Sequence, residues 1–381
     1  MRIDGDWIAR PGTLAVLAAL AAGGHRALFV GGCVRNALLG VPVGDIDIAT
    51  DALPESVMTL SRAAGLKPVP TGIDHGTITV VSNGLPHEVT TFRADTETDG
   101  RHARVAFGQS IEADAHRRDF TMNALYAERD GRVIDPLGGL PDLQARRIRF
   151  IDDPAQRIRE DYLRILRFFR FHACYGDPEG GLDPAGLAAC ADARDGLATL
   201  SRERIGAEMR KLLAAPDPAP SVAAMQAAGV LSAILPGSGA AALAPLVHLE
   251  SETNTAPDPL RRLAALGGEN VAGRLRLSRA ESRRLSRLRE GIASGMSPGE
   301  LGYRLGVEEG ADIVLLRAAV FGMSLAPDTF DQLRRGAAAV CPVSAADLMP
   351  AYCGAALGRR LSRIEARWIA SGFTLRREDL L

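Results

Sequence analysis

Lysine is almost missing from this chain of 381 residues: of 45 basic residues only Lys67 and Lys211 are lysine, so nearly every cation is a guanidinium fork suited to carboxylate or phosphate. A GC-rich genome produces the same bias over a whole chain. Aromatic residues make up 5%, and neither sign of charge prevails, the formal net charge being −1. Bulk charge therefore singles out no nucleic-acid partner. The five cysteines (Cys33, Cys174, Cys190, Cys341 and Cys353) are odd in number and include no CxxC pair. That pattern supplies no zinc or disulfide framework and suits a reducing compartment, so the cytoplasm is the expected location. No apolar run approaches the roughly 20 residues that cross a bilayer, and no membrane partner is expected. Leu14 to Ala22 is apolar enough to suggest a signal peptide. However, Asp4 and Asp6 precede it and Gly23 and Gly24 lead straight into another apolar segment, which predicts a helix of a folded domain.

What is present is ordinary globular composition, 46% hydrophobic and 24% charged, at a length that suits two to three domains. From Ala27 to about Arg149 the pattern is mixed. Strand-like stretches at Ala27 to Val30, Asp45 to Thr50, Thr77 to Val81, His87 to Phe92 and Arg132 to Asp135 alternate with helical or turn-rich segments. After Ile151 strand signals fade and Ala, Leu and Arg at helical spacing dominate. The helical half is broken at Tyr175 to Pro184, Ala214 to Pro220 and Glu250 to Pro259, where successive breakers cannot continue a helix.

Two short segments carry chemistry. In LFVGGCVRNALLG an apolar strand ends at Gly31 and Gly32 and a helix starts at once, with Gly40 as its expected C-cap. Paired glycines allow close backbone approach, the helix N-terminus offers free N–H groups, and Arg35 adds a bidentate cation, which suits an anion; a plain tight turn is the alternative. In GDIDIAT, Asp45 and Asp47 project from one face of a strand of period two. Adjacent carboxylates repel unless a cation lies between them, and hard oxygen ligands suit magnesium; a solvated strand end is the alternative.

Glycine turn, arginine and DxD in this order resemble the DNA polymerase β-like nucleotidyltransferase superfamily, which implies that Asp45 and Asp47 hold the catalytic metals. A third carboxylate is usual there, and Glu88 in HEVTTFR is the candidate. HRRDFTMNALY, IDPLGGLPDLQARRIR, IREDYLRILRFFRF and LSRERIGAEMRKLL follow in order between His116 and Leu213. Together these motifs resemble the class II tRNA nucleotidyltransferases, the family of bacterial CCA-adding enzymes and poly(A) polymerases, over about residues 26 to 215. The resemblance implies an α+β protein: a polymerase β-like head over residues 1–150, a helical neck with a base selector over 151–215, and a helical body and tail for tRNA binding over 216–381. It implies template-independent addition of C and A to the tRNA 3′ end from CTP and ATP, with Mg2+ as cofactor and pyrophosphate as product. A poly(A) polymerase and a tRNA-binding protein without activity are the rival readings.

By the same resemblance Gly32, Arg35 and Arg118 hold the triphosphate with Gly31 in the turn, Arg118 and Asp119 form the nucleotide-contacting pair, and Asn123 braces them. The selector motif falls on Glu160, Asp161 and Arg164, with Arg167 and Arg170 lining the pocket along one helix. Cytosine and adenine both present an exocyclic amine beside a ring-nitrogen acceptor, so Asp161 accepts from the amine while Arg164 donates to the nitrogen. Uracil and guanine reverse that order and leave charged groups unsatisfied. An i,i+3 surface ion pair between Asp161 and Arg164 is the alternative. Tyr162, Ile165, Leu166, Phe168, Phe169 and Phe171 make the helix apolar on most sides, so its arginines need anionic partners. Glu203, Arg204, Glu208 and Lys211 read as a supporting helix salt-bridged at i,i+4. The run from Arg274 to Glu290 is strongly basic and fits either tRNA phosphates or a solvated face. Two departures stand out: Asn36 replaces the family's usual aspartate, and the loop Ala94 to Ala103 lacks its usual tyrosine and proline.

Overall fold

A computed structural model of the protein describes residues 1–97, 104–108 and 110–381. Residues 98–103 of the loop from Ala94 to Ala103 lie outside the described residues. The chain forms two compact units, one of Met1–Glu208 with Pro220–Ile234, the other of Met209–Ala219 with Leu235–Leu381.

The first unit is built on a seven-stranded sheet. Its strands, in the order β3-β4-β5-β2-β1-β8-β9, are β1 (Ala27–Val30), β2 (Ile46–Thr50), β3 (Lys67–Gly72), β4 (Thr77–Ser82), β5 (Leu85–Thr91), β8 (Tyr126–Ala127) and β9 (Val133–Ile134). A separate hairpin joins β6 (Arg93–Glu97) to β7 (Arg104–Phe107). The apolar run Ala-Leu-Phe-Val places β1 inside the sheet, antiparallel to both β2 and β8. Phe29 meets Trp7 edge-on at 4.8 Å, whereas Leu28 and Val30 enter a cluster with Ala49, Phe92, Ile111 and Tyr126. β2 runs parallel to β5 in a register that sets Asp47 beside Glu88. β3, whose Pro68 and Pro70 disguise an edge strand, and the two-residue β8 lie outside the strand-like stretches of the sequence.

Beyond Ile151 the described elements are helical, and helices end or start at Tyr175 and Pro184, Leu213 and Ala219, and Glu252 and Pro259, where the breakers lie. The expected continuous helix through the selector motif is broken. One helix spans Pro154–Glu160 and a second Leu163–Tyr175, with Asp161 extended between them (φ −154, ψ 105). Asp161 behaves as a cap: its Oδ1 accepts from Leu163 N at 3.0 Å and its carbonyl accepts from Arg164 N at 2.9 Å. An aromatic cluster gathers here, Phe120 lying 5.0 Å from Phe150 and 4.9 Å from Phe171, with Phe150 stacked on Phe168 at 5.3 Å. This cluster fastens the second helix to the segment that carries Arg118 and Asp119.

The second unit is organised around buried ion pairs. Glu250 receives both Arg261 and Arg262 at 2.7 Å, Asp312 pairs with Arg261 and Arg284 at 2.7 Å, and Asp258 completes the set with Arg284 at 2.8 Å. Arg262 also donates to the carbonyls of Leu213, Ala215 and Pro216, which closes the end of the helix Arg202–Leu213. Among the described residues no helix is long and apolar enough to cross a membrane.

Candidate active site

The glycine turn sits where β1 passes into the helix Gly32–Leu39. Gly31 has φ 67 and ψ −117, a conformation that only glycine adopts without strain, and a side chain there would stand 3.4 Å from Arg118 Nη1. A Cβ on Gly32 would stand 3.9 Å from both Arg35 Nη2 and Asp47 Oδ2, so the space over Gly32 lies between a cation and an anion. The helix ends at Gly40 in the left-handed conformation, as its sequence predicts.

Asp45 is exposed, Asp47 half-buried and Glu88 exposed. Burial together with the charges of Glu88 and Asp45 raises Asp47 to about 6, and Arg118 and Arg35 offset only part of that. Among the described residues no three His, Cys, Asp or Glu side chains come together as a ready-made metal site. The donors present still fit a divalent cation: they are all oxygen, they repel one another, and the half-buried member is pushed toward its neutral form without one.

Arg118 is aimed at the turn by a buried partner. Asp114 accepts from its Nη2 at 2.9 Å and from Tyr126 Oη at 2.7 Å, and Arg118 Nε donates to Tyr126 Oη at 3.2 Å. Burial works against the Arg118 charge, but Asp114 and Tyr126 outweigh it and raise its pKa. Asp114 and Tyr126 were absent from the sequence-based site; the i,i+4 spacing of Asp114 and Arg118 was the available signal.

At three positions the structure shows partners that the sequence did not indicate. Arg35 is not a free fork for phosphate. It is 6% exposed and donates to Asn36 Oδ1, Asn123 Oδ1 and Tyr175 Oη, with its guanidinium 4.0 Å above the Tyr175 ring. Asp119 does not face an open site. Buried, it accepts from Arg167 at 2.5 Å, Asn123 Nδ2 at 2.9 Å and Phe120 N at 2.9 Å. Burial alone would raise its pKa, but Arg167 and these hydrogen bonds hold it below the ordinary range. The supporting helix pairs outward and not at i,i+4: Arg204 meets Asp161 at 2.6 Å, and the buried Glu208 is taken by Arg170 at 2.5 Å.

The selector residues are brought together, in a different pattern from an Asp161–Arg164 pair. Arg164 holds Glu160 at 2.5 Å and donates to the carbonyls of Arg157 and Arg117. The anionic partners demanded by a buried helix are thus found for Arg164, Arg167 and Arg170. Of these side chains Arg167 keeps most exposure, 32% against 15% for Arg164 and 12% for Arg170. Arg167 and Arg170 also lie over the ring of Phe171, at 5.3 and 4.5 Å.

Residues 27–149 match the family model described as the poly A polymerase head domain, and residues 181–241 match one described as a probable RNA and SrmB-binding site of polymerase A. The mitochondrial CCA tRNA nucleotidyltransferase 1 of Homo sapiens is 43% identical over 190 residues, which cover 50% of this chain and 44% of that protein. The CCA-adding enzyme of Lacticaseibacillus paracasei is 39% identical over 219 residues, 57% of this chain and 53% of that protein. The chain thus spans about half the length of these curated relatives. Over nearly the whole chain it resembles the crystal structure of the Bacillus stearothermophilus CCA-adding enzyme in complex with CTP. The TM-score is 0.74 and the identity 30%, with 95% of this chain and 94% of that chain covered. The fold also matches the Thermotoga maritima CCA-adding enzyme complexed with tRNA, with a TM-score of 0.71 at 19% identity and coverage of 100% and 95%.

Proposed function

The chain belongs to the family of CCA-adding enzymes and poly(A) polymerases, and from that premise we propose that it adds C and A nucleotides to the 3′ end of tRNA, using CTP and ATP and releasing pyrophosphate. One observation carries the reading: a single compact unit brings an open glycine turn, mutually repelling carboxylates at Asp45, Asp47 and Glu88, and an arginine-bearing helix fastened beside Arg118. The reaction is attack of the terminal 3′-hydroxyl on the α-phosphorus with pyrophosphate leaving.

Nucleotidyl transfer in this family is metal-dependent, and the hard oxygen donors point to magnesium on Asp45 and Asp47, with Glu88 beside them. When bound, the metal supplies charge neutralisation at the triphosphate and activation of the attacking hydroxyl. The N–H at Gly32 meets a phosphate oxygen, that of Gly31 being held by the Leu125 carbonyl at 3.1 Å, and Arg118, locked by Asp114, offers its Nη1 over the turn. Asp161 and Arg164 read the base edge. Arg204 holds the Asp161 carboxylate in place, and Glu160 parks Arg164 until a base takes one of its donors. Arg167 faces the pocket with its exposed end; Arg170, Asn123 and Asp119 support it from behind. The free thiols support a cytoplasmic location.

The test supplies tRNAs ending before CCA, after C and after CC, with CTP or ATP singly and together, and reads product length. Completion to CCA and arrest supports the reading. Long A tracts on any RNA indicate a poly(A) polymerase, the reading favoured by the description of the head-domain match, and no extension defeats both.

A further inference from the structure

Arg35 differs from its neighbours in what it is paired with. Arg118 has Asp114, Arg164 has Glu160, Arg167 has Asp119 and Arg170 has Glu208, all carboxylates. Among the described residues Arg35 has only neutral acceptors: Asn36 Oδ1 at 3.2 Å from Nε and 2.9 Å from Nη2, Asn123 Oδ1 at 2.5 Å from Nη1, and Tyr175 Oη at 2.8 Å from Nη2. Burial acts against its charge and lowers its pKa, and Tyr175 and the charge of Asp119 offset only part of that. Four of its five N–H groups are engaged, so the side chain has little left with which to grip a phosphate.

Its acceptors lead elsewhere. Asn123 takes Arg35 on Oδ1, which turns its Nδ2 toward Asp119 Oδ1 at 2.9 Å; the other oxygen of Asp119 holds Arg167 Nε at 2.7 Å and Nη2 at 2.5 Å. An inverted Asn123 amide would point its NH2 at a guanidinium and its oxygen at a carboxylate, so Arg35 dictates which way the amide lies. Tyr175, the last residue of the helix that carries Arg167, closes a second link through its hydroxyl and its ring. The helix at the glycine turn and the selector helix are therefore joined by a continuous chain of side chains. It ends on Arg167, the most exposed of the three helix arginines.

We propose that Arg35 is a positioning residue that orients Arg167 through Asn123 and Asp119, and so acts on the choice of base and not on phosphate binding. The proposal rests on the reading of the selector segment given above. Contiguity alone does not establish coupling, so the test is a double-mutant cycle. The affinities of CTP, UTP and pyrophosphate are measured by calorimetry without RNA for the wild type, Arg35→Lys, Asn123→Ala and the double variant, with thermal melting as the check of folding. Arg35→Lys is expected to lower the CTP-to-UTP preference about tenfold and to leave pyrophosphate affinity within about twofold, and the double variant is expected to lose no more than the larger single loss. Tyr175→Phe, which keeps the stacked ring and removes one acceptor, is expected to lower the preference about twofold to threefold and serves if Arg35→Lys does not fold. An unchanged preference with weakened pyrophosphate binding would make Arg35 a phosphate ligand and overturn the relay, as would fully additive losses. A wild-type protein that binds CTP and UTP alike defeats the functional reading itself, and the relay with it.

Discussion

Two regions of this molecule bury charge, and they do it differently. In the second unit Glu250, Asp258 and Asp312 face Arg261, Arg262 and Arg284, three negative charges against three positive, and the remaining donors of Arg262 are absorbed by backbone carbonyls. At the glycine turn the balance fails locally. The half-buried Asp47 feels the negative charges of Glu88 and Asp45, and Arg35 is buried among neutral acceptors. Burying ions is costly in either place. The balanced network needs nothing further and reads as scaffold, whereas at Asp47 burial and repulsion from Glu88 and Asp45 exceed what Arg118 and Arg35 offset. Local charge imbalance, more than burial or conspicuous motif, distinguishes the site from its support.

The strongest way to break this comparison is to remove the imbalance. Asp45→Ala with Asp47→Ala should abolish nucleotide addition, a loss of about 10⁴-fold or more, roughly 5.5 kcal/mol in the barrier. The melting temperature should not fall, because repulsion is being relieved. Primer extension with radiolabelled nucleotide beside a thermal melt reads both effects, and turnover retained in magnesium would remove the metal from these residues. The reverse pattern is expected in the scaffold. Glu250→Ala leaves the buried Arg262 without a carboxylate and Arg261 with Asp312 alone, and should destabilise the second unit by about 3 to 5 kcal/mol, measured by denaturant unfolding. Nucleotide preference in the protein that stays folded should remain that of the wild type.

How much of this contrast could be read from the chain depended on distance along it. The strand, turn and helix in LFVGGCVRNALLG are specified within thirteen residues, and strand, left-handed cap and helix all stand where those residues place them. The fate of Arg35 could not be read in the same way, because its acceptors Asn123 and Tyr175 lie 88 and 140 residues away. The break at Asp161 escaped notice for another reason. Apolar residues on both sides keep helical spacing, and only a side-chain bond to Leu163 N distinguishes a cap from a helix interior. In the second unit Arg261 and Arg262 sit in what reads as an ordinary amphipathic helix, and nothing local shows that both are buried.

A finer test lies at the border between scaffold and site, where Asp161 is paired with Arg204 yet keeps 35% of its side chain exposed. If Asp161 only caps a helix, Asp161→Asn should cost little selectivity, since the amide oxygen still accepts from Leu163 N. If it reads the base amine, both Asp161→Asn and Asp161→Ala should lower the preference for CTP and ATP over UTP and GTP by about tenfold, roughly 1.4 kcal/mol. Competition between nucleotides in a single-addition assay separates the two, and an unchanged ratio in both variants leaves Asp161 as a cap alone.

The smallest expected effect concerns the helix Arg279–Ala293, where committed and uncommitted arginines share one element. Arg284 is held by Asp258 and Asp312, Arg287 by Glu309, and Arg289 by the carbonyls of Gly267 and Gly268. Arg279 and Arg283, one turn apart and exposed, have no ion-pair partner among the described residues. By the rule drawn from the site, uncompensated cations should be the ones that meet RNA phosphate, and the compensated ones should not. Each phosphate contact displaces counterions, so replacing both Arg279 and Arg283 with Gln should lower the slope of log affinity for tRNA against log salt by about two, with a loss of affinity of a few-fold near 0.15 M salt. Replacing Arg287 should leave the slope unchanged, because its charge is already spent on Glu309. Equal slopes for both variants would show that pairing within the protein does not decide which arginines meet RNA, and the contrast between balanced and unbalanced charge would then hold for the catalytic centre only.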